Sequence, residues 1–394
     1  MKKYTEITKD ISWVGALDYD IEVFDIVMKT QYGTSYNSYL VKGSEKTALF
    51  ETVKVQFFDE FLERIEGLTT VDQIDYIVVD HTEPDHAGSI AKMITMNPDI
   101  TLVGSATALK YLENIINGPF NSIAVKEYDT LDLGGKTIEF ISAPNLHWPD
   151  TIFSYIKEDK ILITCDAFGC HYADKRIFND LMDDDFMDAY KYYFDSIMSP
   201  FKKFVNKAVL KVDHLEIDMI CPGHGPALRT DIQKYIEKYR EWSIIPEEGN
   251  YVVMPYVSAY GYTKKLAEKI AEAVRDAGFE VKMFDLVDAD PEEVITELNG
   301  AKAILVGSPT ILSDTLPPIW HMLTELNPII HKGKIAGAFG SYGWSGEAVS
   351  NIEDRLKQLR FKIPVKGYRA KFNPSEVDLD GAYEFGKAFA DALK

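Results

Sequence analysis

The sequence predicts an α/β protein of two domains: a layered αβ/βα sandwich over residues 1–249, then a doubly wound parallel sheet over residues 250–394. Three observations carry this. Residues 1–75 alternate short apolar and polar segments with turn signals between them, the pattern of an antiparallel or mixed sheet. Beyond them, apolar strands end repeatedly in loops that carry His, Asp or Glu. Around residue 242 the pattern changes, and strands then alternate with helices to the C-terminus. Such alternation requires a parallel sheet covered on both faces.

In chain order, Ile11-Ser12-Trp13-Val14-Gly15-Ala16, Tyr36-Asn37-Ser38-Tyr39-Leu40-Val41 and Thr47-Ala48-Leu49-Phe50-Glu51 read as strands. Phe57, Phe58, Phe61, Leu62 and Ile65 share one face of a helix. Tyr76-Ile77-Val78-Val79 is short and rich in β-branched residues, which marks a buried strand. A helix after Ala87, a strand at 100–104 and hairpin-like strands leading through Leu133-Gly134-Gly135-Lys136 to 138–141 follow. Ile161-Leu162-Ile163-Thr164-Cys165 and Ile217-Asp218-Met219-Ile220-Cys221 are further strands. Pro246-Glu247-Glu248-Gly249-Asn250 is a short polar linker. Past it, strands at 251–257, 281–284, 303–307 and 335–340 alternate with helices, the first over 264–277 and the second after Pro291.

Composition narrows the function. With 394 residues and 46% hydrophobic content the chain can bury sizeable cores. A net charge of −20 argues against nucleic acid and anionic membrane surfaces, both of which demand a basic face. No apolar run approaches the ~20 residues that span a bilayer. Met1-Lys2-Lys3-Tyr4-Thr5-Glu6 has no apolar core behind its lysines, so a cytoplasmic location is expected. Cys165, Cys170 and Cys221 form no disulfide framework and no C-x-x-C pair, and they read as small buried hydrophobes. Any electrons the protein uses therefore come from outside.

The chemistry concentrates in His81-Thr82-Glu83-Pro84-Asp85-His86, at the end of the strand 76–79. Pro84 stiffens the turn and splays its neighbours. Two imidazoles and two carboxylates this close would repel or stay protonated unless a cation compensated them. Three more strand ends supply candidates: His147 between Pro144 and Pro149, Asp166 closing the strand 161–165, and His224 flanked by Gly223 and Gly225. In the second half, Ser258-Ala259-Tyr260-Gly261-Tyr262-Thr263 joins the first strand to its helix, where backbone amides and short hydroxyls complement a phosphate. Ser308-Pro309-Thr310-Ile311 and Gly340-Ser341-Tyr342-Gly343-Trp344 follow the third and fourth strands, with Trp344 offering a stacking face.

The spacing H-x-E-x-D-H resembles the H-x-H-x-D-H motif of the metallo-β-lactamase superfamily, with Glu83 in place of the second histidine, as flavodiiron proteins have it. Tyr36–Leu40, Leu146-His147-Trp148-Pro149-Asp150, Asp166-Ala167-Phe168-Gly169 and Pro222-Gly223-His224-Gly225 match that family in order and approximate spacing. The loop 258–263 resembles the flavodoxin phosphate loop at Ser258, Gly261 and Thr263 and departs from it at Tyr260. The chain is thus identified as similar to a flavodiiron protein in its two-domain form, a metallo-β-lactamase-like domain followed by a flavodoxin-like one, with no rubredoxin or flavin-reductase module expected.

The resemblance implies two irons and FMN. One iron would take His81, Glu83, His147 and Asp166. The other would take Asp85, His86, Asp166 and His224, with Asp166 bridging. Hard carboxylates and imidazoles without thiolate suit iron better than zinc. His171 is expected to line the pocket as the catalytic candidate rather than ligate. The implied reactions are four-electron reduction of dioxygen to water and two-electron reduction of nitric oxide to nitrous oxide. The donor would be a rubredoxin-like protein, a deazaflavin coenzyme or another reductase. A homodimer, head to tail, or a dimer of dimers is also implied. Where family members often carry a histidine after the N-terminal phenylalanine, this chain has Phe24-Asp25. The competing reading is a zinc hydrolase of metallo-β-lactamase type with an accessory flavodoxin-like module.

Overall fold

A computed structural model describes residues 3–25, 28–183, 185–245 and 247–394. It divides into two compact units, Met1–Ile245 and Pro246–Lys394. Pro246, the first residue of the expected linker, and Met1 and Lys2 of the expected leaderless N-terminus lie outside the described residues.

The first unit stacks two sheets. One has seven strands in the order Thr5–Glu6, Ile11–Trp13, Tyr39–Lys42, Thr47–Phe50, Tyr76–Val79, Thr101–Ser105 and Asn121–Val125, antiparallel up to Thr47–Phe50 and parallel after it. The other has five: Thr130–Asp132, Thr137–Ser142, Ile152–Ile156, Ile161–Cys165 and Met219–Pro222, antiparallel except for the last pair. Successive side chains on a strand point to opposite faces. Val78 accordingly packs between the sheets with Phe50, Phe140, Ile161 and Ile163. Its neighbours Ile77 and Val79 face outward onto Phe58, Phe61 and Ile65 of the helix Phe58–Glu66 and onto Met93. On the second sheet, Phe153, Leu162 and Ile220 turn outward to Tyr190, Val209 and Tyr239. Each buried aromatic or aliphatic side chain contributes roughly 1.5–3 kcal/mol relative to exposure. The result is the expected αβ/βα sandwich.

Two expected strands of this unit divide. Ile11–Trp13 and Ala16–Asp18 are separate strands, and the latter pairs with Thr34–Tyr36. The segment 36–41 likewise breaks at Asn37 and Ser38, whose polar side chains are drawn into the interior.

The second unit is a five-stranded parallel sheet in the order Glu280–Asp285, Gly249–Tyr256, Ala301–Gly307, Ile335–Tyr342 and Tyr368–Lys371. That order, 2-1-3-4-5, is the doubly wound flavodoxin-like one, with its ligand crevice at the carboxyl ends beside the first strand. Val252 and Met254 meet the helices Tyr262–Asp276 and Glu376–Asp391, while Val253 meets Pro291–Gly300, Pro317–Glu325 and Glu347–Gln358 on the other face. Ser375 and Asp378 close the last helix's N-terminus reciprocally, a capping box. The edge strand Tyr368–Lys371 has no counterpart among the strands expected from sequence. No helix among the described residues is long and apolar enough to cross a membrane.

Candidate functional site

In the first unit Tyr76–Val79, Thr137–Ser142, Ile161–Cys165 and Met219–Pro222 all end at one rim of the sandwich. Glu51 Oε1 accepts the backbone N–H groups of Asp80 (2.7 Å) and His81 (3.0 Å), which fixes the first ligand loop. Pro84 opens a one-turn helix, Pro84–Ala87, so Asp85 and His86 stand on a helical turn rather than on an open loop. The His86 carbonyl accepts from Thr52 N–H (2.7 Å) and Oγ1 (2.6 Å). Cys165 is left-handed (φ 49°), which turns Asp166 off the strand end. The Asn37 side-chain amide donates to the carbonyls of Pro222 and Gly225, both at 2.8 Å, and pins the His224 loop. Gly223 admits His86 closely: a Cβ there would stand 2.6 Å from His86 Cε1.

These loops bring all seven predicted ligands together, in two groups. His81 Nε2 and His147 Nε2 lie 3.2 and 2.9 Å from Glu83 Oε2, and 3.6 and 3.5 Å from Asp166 Oδ2. His224 Nε2 and His86 Nε2 lie 3.0 and 3.5 Å from Asp85 Oδ2, and 3.4 and 3.1 Å from Asp166 Oδ1. Asp166 thus turns one oxygen to each group.

The donor set fits a cation at each position. His224 Nδ1 is 2.6 Å from the Ser35 carbonyl oxygen, which can only accept, so Nδ1 carries the hydrogen. In the neutral ring Nε2 is then a bare lone pair facing carboxylate oxygen. His81 repeats the arrangement, with Nδ1 3.2 Å from Asp150 Oδ2. Both Asp85 oxygens and Asp166 Oδ2 are buried without a hydrogen-bond donor. Acceptors that converge in this way need protons or a metal between them. Burial opposes charge on His81, but the Asp150 and Glu83 carboxylates outweigh it and hold the imidazolium well above its ordinary range. Burial likewise opposes charge on Glu83, yet His147 and His81 bring it down to about 2. A hard cation takes over the role of those protons. Cys165 Sγ lies 3.6 Å from His86 Nδ1 and forms a third buried group with His86 and Glu51, whereas the two groups that share Asp166 offer only nitrogen and oxygen.

His171 is not among the converging ligands. Its Nδ1 is 2.9 Å from Thr34 Oγ1, and its ring packs on Phe24, Tyr193 and His224 with centroids 4.3, 4.9 and 5.2 Å apart. Burial and the neighbouring His224 push it well below the ordinary imidazole range. Asp25 sits near the same centre, its carboxyl raised to about 6 by lost hydration and by Glu83 and Asp85.

Several participants escaped sequence reasoning. Asp150 orients His81, Glu51 holds the loop, and Tyr193 Oη donates to Asp166 Oδ1 at 3.1 Å. Asp150 had a visible signal, since it closes the quoted segment 146–150. Tyr193 had none, because it arrives on the helix Phe186–Tyr193 among aromatic residues spaced as core.

In the second unit Tyr260, Tyr262, Pro309, Thr310, Ile311, Ser341, Tyr342 and Gly343 line one cavity of about 170 Å³, joined by Phe372, which the sequence reading did not include. Gly261 (φ 78°) sits at the N-terminus of the helix Tyr262–Asp276. Ser258 Oγ accepts Lys264 N–H at 3.1 Å, and buried Thr263 bonds Ser341 Oγ at 2.9 Å, tying the phosphate-type loop to the fourth strand. Ser308 is buried and accepts Leu316 N–H. Ala259 and Trp344 stand outside the cavity lining, and Trp344 is 84% exposed.

Residues 34–225 match the ODP family beta lactamase, and residues 255–386 match Flavodoxin. The flavo-diiron protein FprA2 of Clostridium acetobutylicum is 40% identical, covering 98% of this chain and 99% of that protein. The anaerobic nitric oxide reductase flavorubredoxin of Aliivibrio salmonicida is 36% identical, covering 98% of this chain and 78% of its own length. Among solved structures, the rubredoxin:oxygen oxidoreductase of Desulfovibrio gigas superposes with a TM-score of 0.67 at 32% identity, covering 99% and 98% of the two chains. Carboxylates and imidazoles converge in one domain, a flavodoxin sheet follows in the other, and full-length relatives share both; the chain belongs to the flavodiiron protein family.

Proposed function

We propose that the protein is an oxidoreductase that reduces dioxygen to water, nitric oxide to nitrous oxide, or both, at a non-haem diiron centre re-reduced by FMN. The observation that carries this reading is the divided carboxylate of Asp166, with Oδ2 toward His81, Glu83 and His147 and Oδ1 toward Asp85, His86 and His224. His171 completes the reading as a pocket residue beside the centre. The iron pair supplies small-molecule binding and electrons, and the flavin supplies re-reduction. The balances are O2 + 4e⁻ + 4H⁺ → 2H2O and 2NO + 2e⁻ + 2H⁺ → N2O + H2O.

The chain's own residues do the rest. Asp150 holds His81 with Nε2 toward the metal position, and the Ser35 carbonyl does the same for His224. Tyr193 donates to the bridging carboxylate. In the second unit the helix N-terminus after Gly261, with Ser258 and Thr263, suits the FMN phosphate, and the loops 308–311 and 341–344 suit its ring system.

Electrons come from an external carrier, a rubredoxin-like protein, a deazaflavin coenzyme or another reductase. The Desulfovibrio gigas relative, named for rubredoxin, supports the first. A cytoplasmic location and a homodimer belong to this reading, and the three buried free cysteines support the former.

The test is elemental analysis and heat-released flavin on purified protein, followed by anaerobic photoreduction and exposure to O2 or NO. About two irons and about one FMN per chain are expected. Stoichiometric zinc, no flavin and hydrolase activity would overturn the reading.

A further inference from the structure

Next to the metal-facing side chains lies a cavity of about 470 Å³ with Thr30, Gln31, Tyr32, Asp188 and Tyr192 in its walls and His171 on its inner side. His171 is 95% buried, and its Nε2 has no hydrogen-bond partner, whereas Nδ1 is held by Thr34. On the far side its ring rests against His224, whose Nε2 faces Asp85. The His171 imidazole, flanked by the Phe24 and Tyr193 rings, therefore stands between a partly polar outer cavity and His224.

A buried polar nitrogen without a partner costs about 1–3 kcal/mol unless water supplies one. The cavity has the size and the polar walls to hold water, each molecule taking roughly 30 Å³. Asp85, His86 and His224 are almost wholly buried, while Glu83 and His147 are partly exposed. On the closed side of the centre, His171 also lines a cavity.

We propose that this cavity is a solvent port for the His224 side of the metal centre, and that His171 is its gate. Water and small anions exchange past the imidazole, and Nε2 bonds the inner end of the water column. His171 is a positioning residue here: it controls passage and touches no reacting atom. The inference rests on the metal reading above and adds the route that product water takes outward.

A port and a binding site leave different kinetic signatures. Narrowing a port slows entry and exit by the same factor and leaves the equilibrium constant unchanged, whereas damage to the site changes the equilibrium constant. The probe is azide binding to the oxidised holoenzyme, followed spectroscopically by stopped flow. Gln31 is exposed and the native cysteines are all buried, so Gln31→Cys offers a single accessible thiol at the cavity wall. A bulky aromatic methanethiosulfonate attached there plugs the cavity and is removed by dithiothreitol.

The plug is expected to lower both azide rate constants together, by about tenfold, with Kd unchanged and both rates restored on reduction. His171→Ala is expected to raise both together, with iron and FMN content at parental levels. Unchanged rates in the plugged protein overturn the port. So does an equal slowing when the same reagent is attached through Leu210→Cys, on an exposed helix position elsewhere. A parent protein without iron by elemental analysis refutes the metal reading itself, and the port falls with it, whereas an iron-loaded parent that takes up no azide overturns the port alone.

Discussion

Asp150→Asn tests whether the side chain behind His81 sets metal affinity. Asp150 is fully buried, and its Oδ2 accepts His81 Nδ1 (3.2 Å), Thr82 N–H (2.8 Å) and Thr82 Oγ1 (2.7 Å), while Oδ1 has no partner. An asparagine carbonyl at the Oδ2 position keeps all three contacts, so the loop stays in place. What disappears is the charge. A hydrogen bond to a charged group contributes about 1.5–3 kcal/mol against about 1 for a neutral one, leaving a loss of roughly 0.5–2 kcal/mol. At 1.4 kcal/mol per decade this is about 2- to 30-fold in affinity, its upper part overlapping the effect of carboxylates that support metal-bound histidines. The assay is chelator competition with iron content followed per chain. The iron held by His81 should leave first, with flavin content at the parental level. A chelator titration superimposable on the parent's would refute the argument. A far-UV spectrum of an unfolded chain would shift the effect from charge to loop structure, and Thr82→Val, which removes only a hydroxyl donor, should then fail in the same way.

Asp166→Asn removes the charge shared by both groups, so both irons should be lost and turnover abolished with FMN retained; full iron with full activity would place the bridge elsewhere. His331 bears on acid stability of the second unit. It is buried and its pKa is lowered to about 4, by burial first and by Lys334 second. The unfolded chain then binds more protons between the ordinary imidazole value of about 6.5 and about 4. Stability is therefore full above that window and falls by as much as about 3 kcal/mol as pH drops through it. The urea midpoint for FMN release should show this slope, and His331→Gln should flatten it. Trp344→Ala should weaken FMN binding about three- to tenfold by fluorescence titration, as expected for one exposed stacking contact.

The convergence of the candidate ligands was legible because they sit at strand ends, where apolar runs such as Tyr76–Val79 and Ile161–Cys165 announce themselves and the next polar residue is conspicuous. Tyr368–Lys371 was not legible, since a four-residue edge strand with two exposed cationic side chains and only Tyr368 and Ala370 between them is too short and too weakly apolar to stand out. The helical turn under Asp85 and His86 was hidden by its brevity, with Pro84 at its first position the sole signal. Glu51 stayed silent because it reads as the end of a strand, and only a left-handed backbone (φ 57°) brings its carboxylate beneath the next strand's loop. Thr263 was legible by motif, though its hydroxyl bonds Ser341 across the sheet end, a pairing that sequence spacing does not encode.

The origin of the ligands has a mechanical consequence. His81, Glu83, Asp85 and His86 follow a strand of the seven-stranded sheet, whereas His147, Asp166 and His224 follow strands of the five-stranded one. Each metal position therefore draws on both layers, and an ion bound there acts as a rivet through the rim of the sandwich. The segments it joins are far apart in the chain, so the rivet closes long loops whose entropy is otherwise recovered when the layers part. The sheets must already be stacked before the ligands meet. Metal insertion is then a late event in the life of the chain, and losing the ions loosens the edge where the layers meet before it disturbs either sheet's own hydrogen bonds.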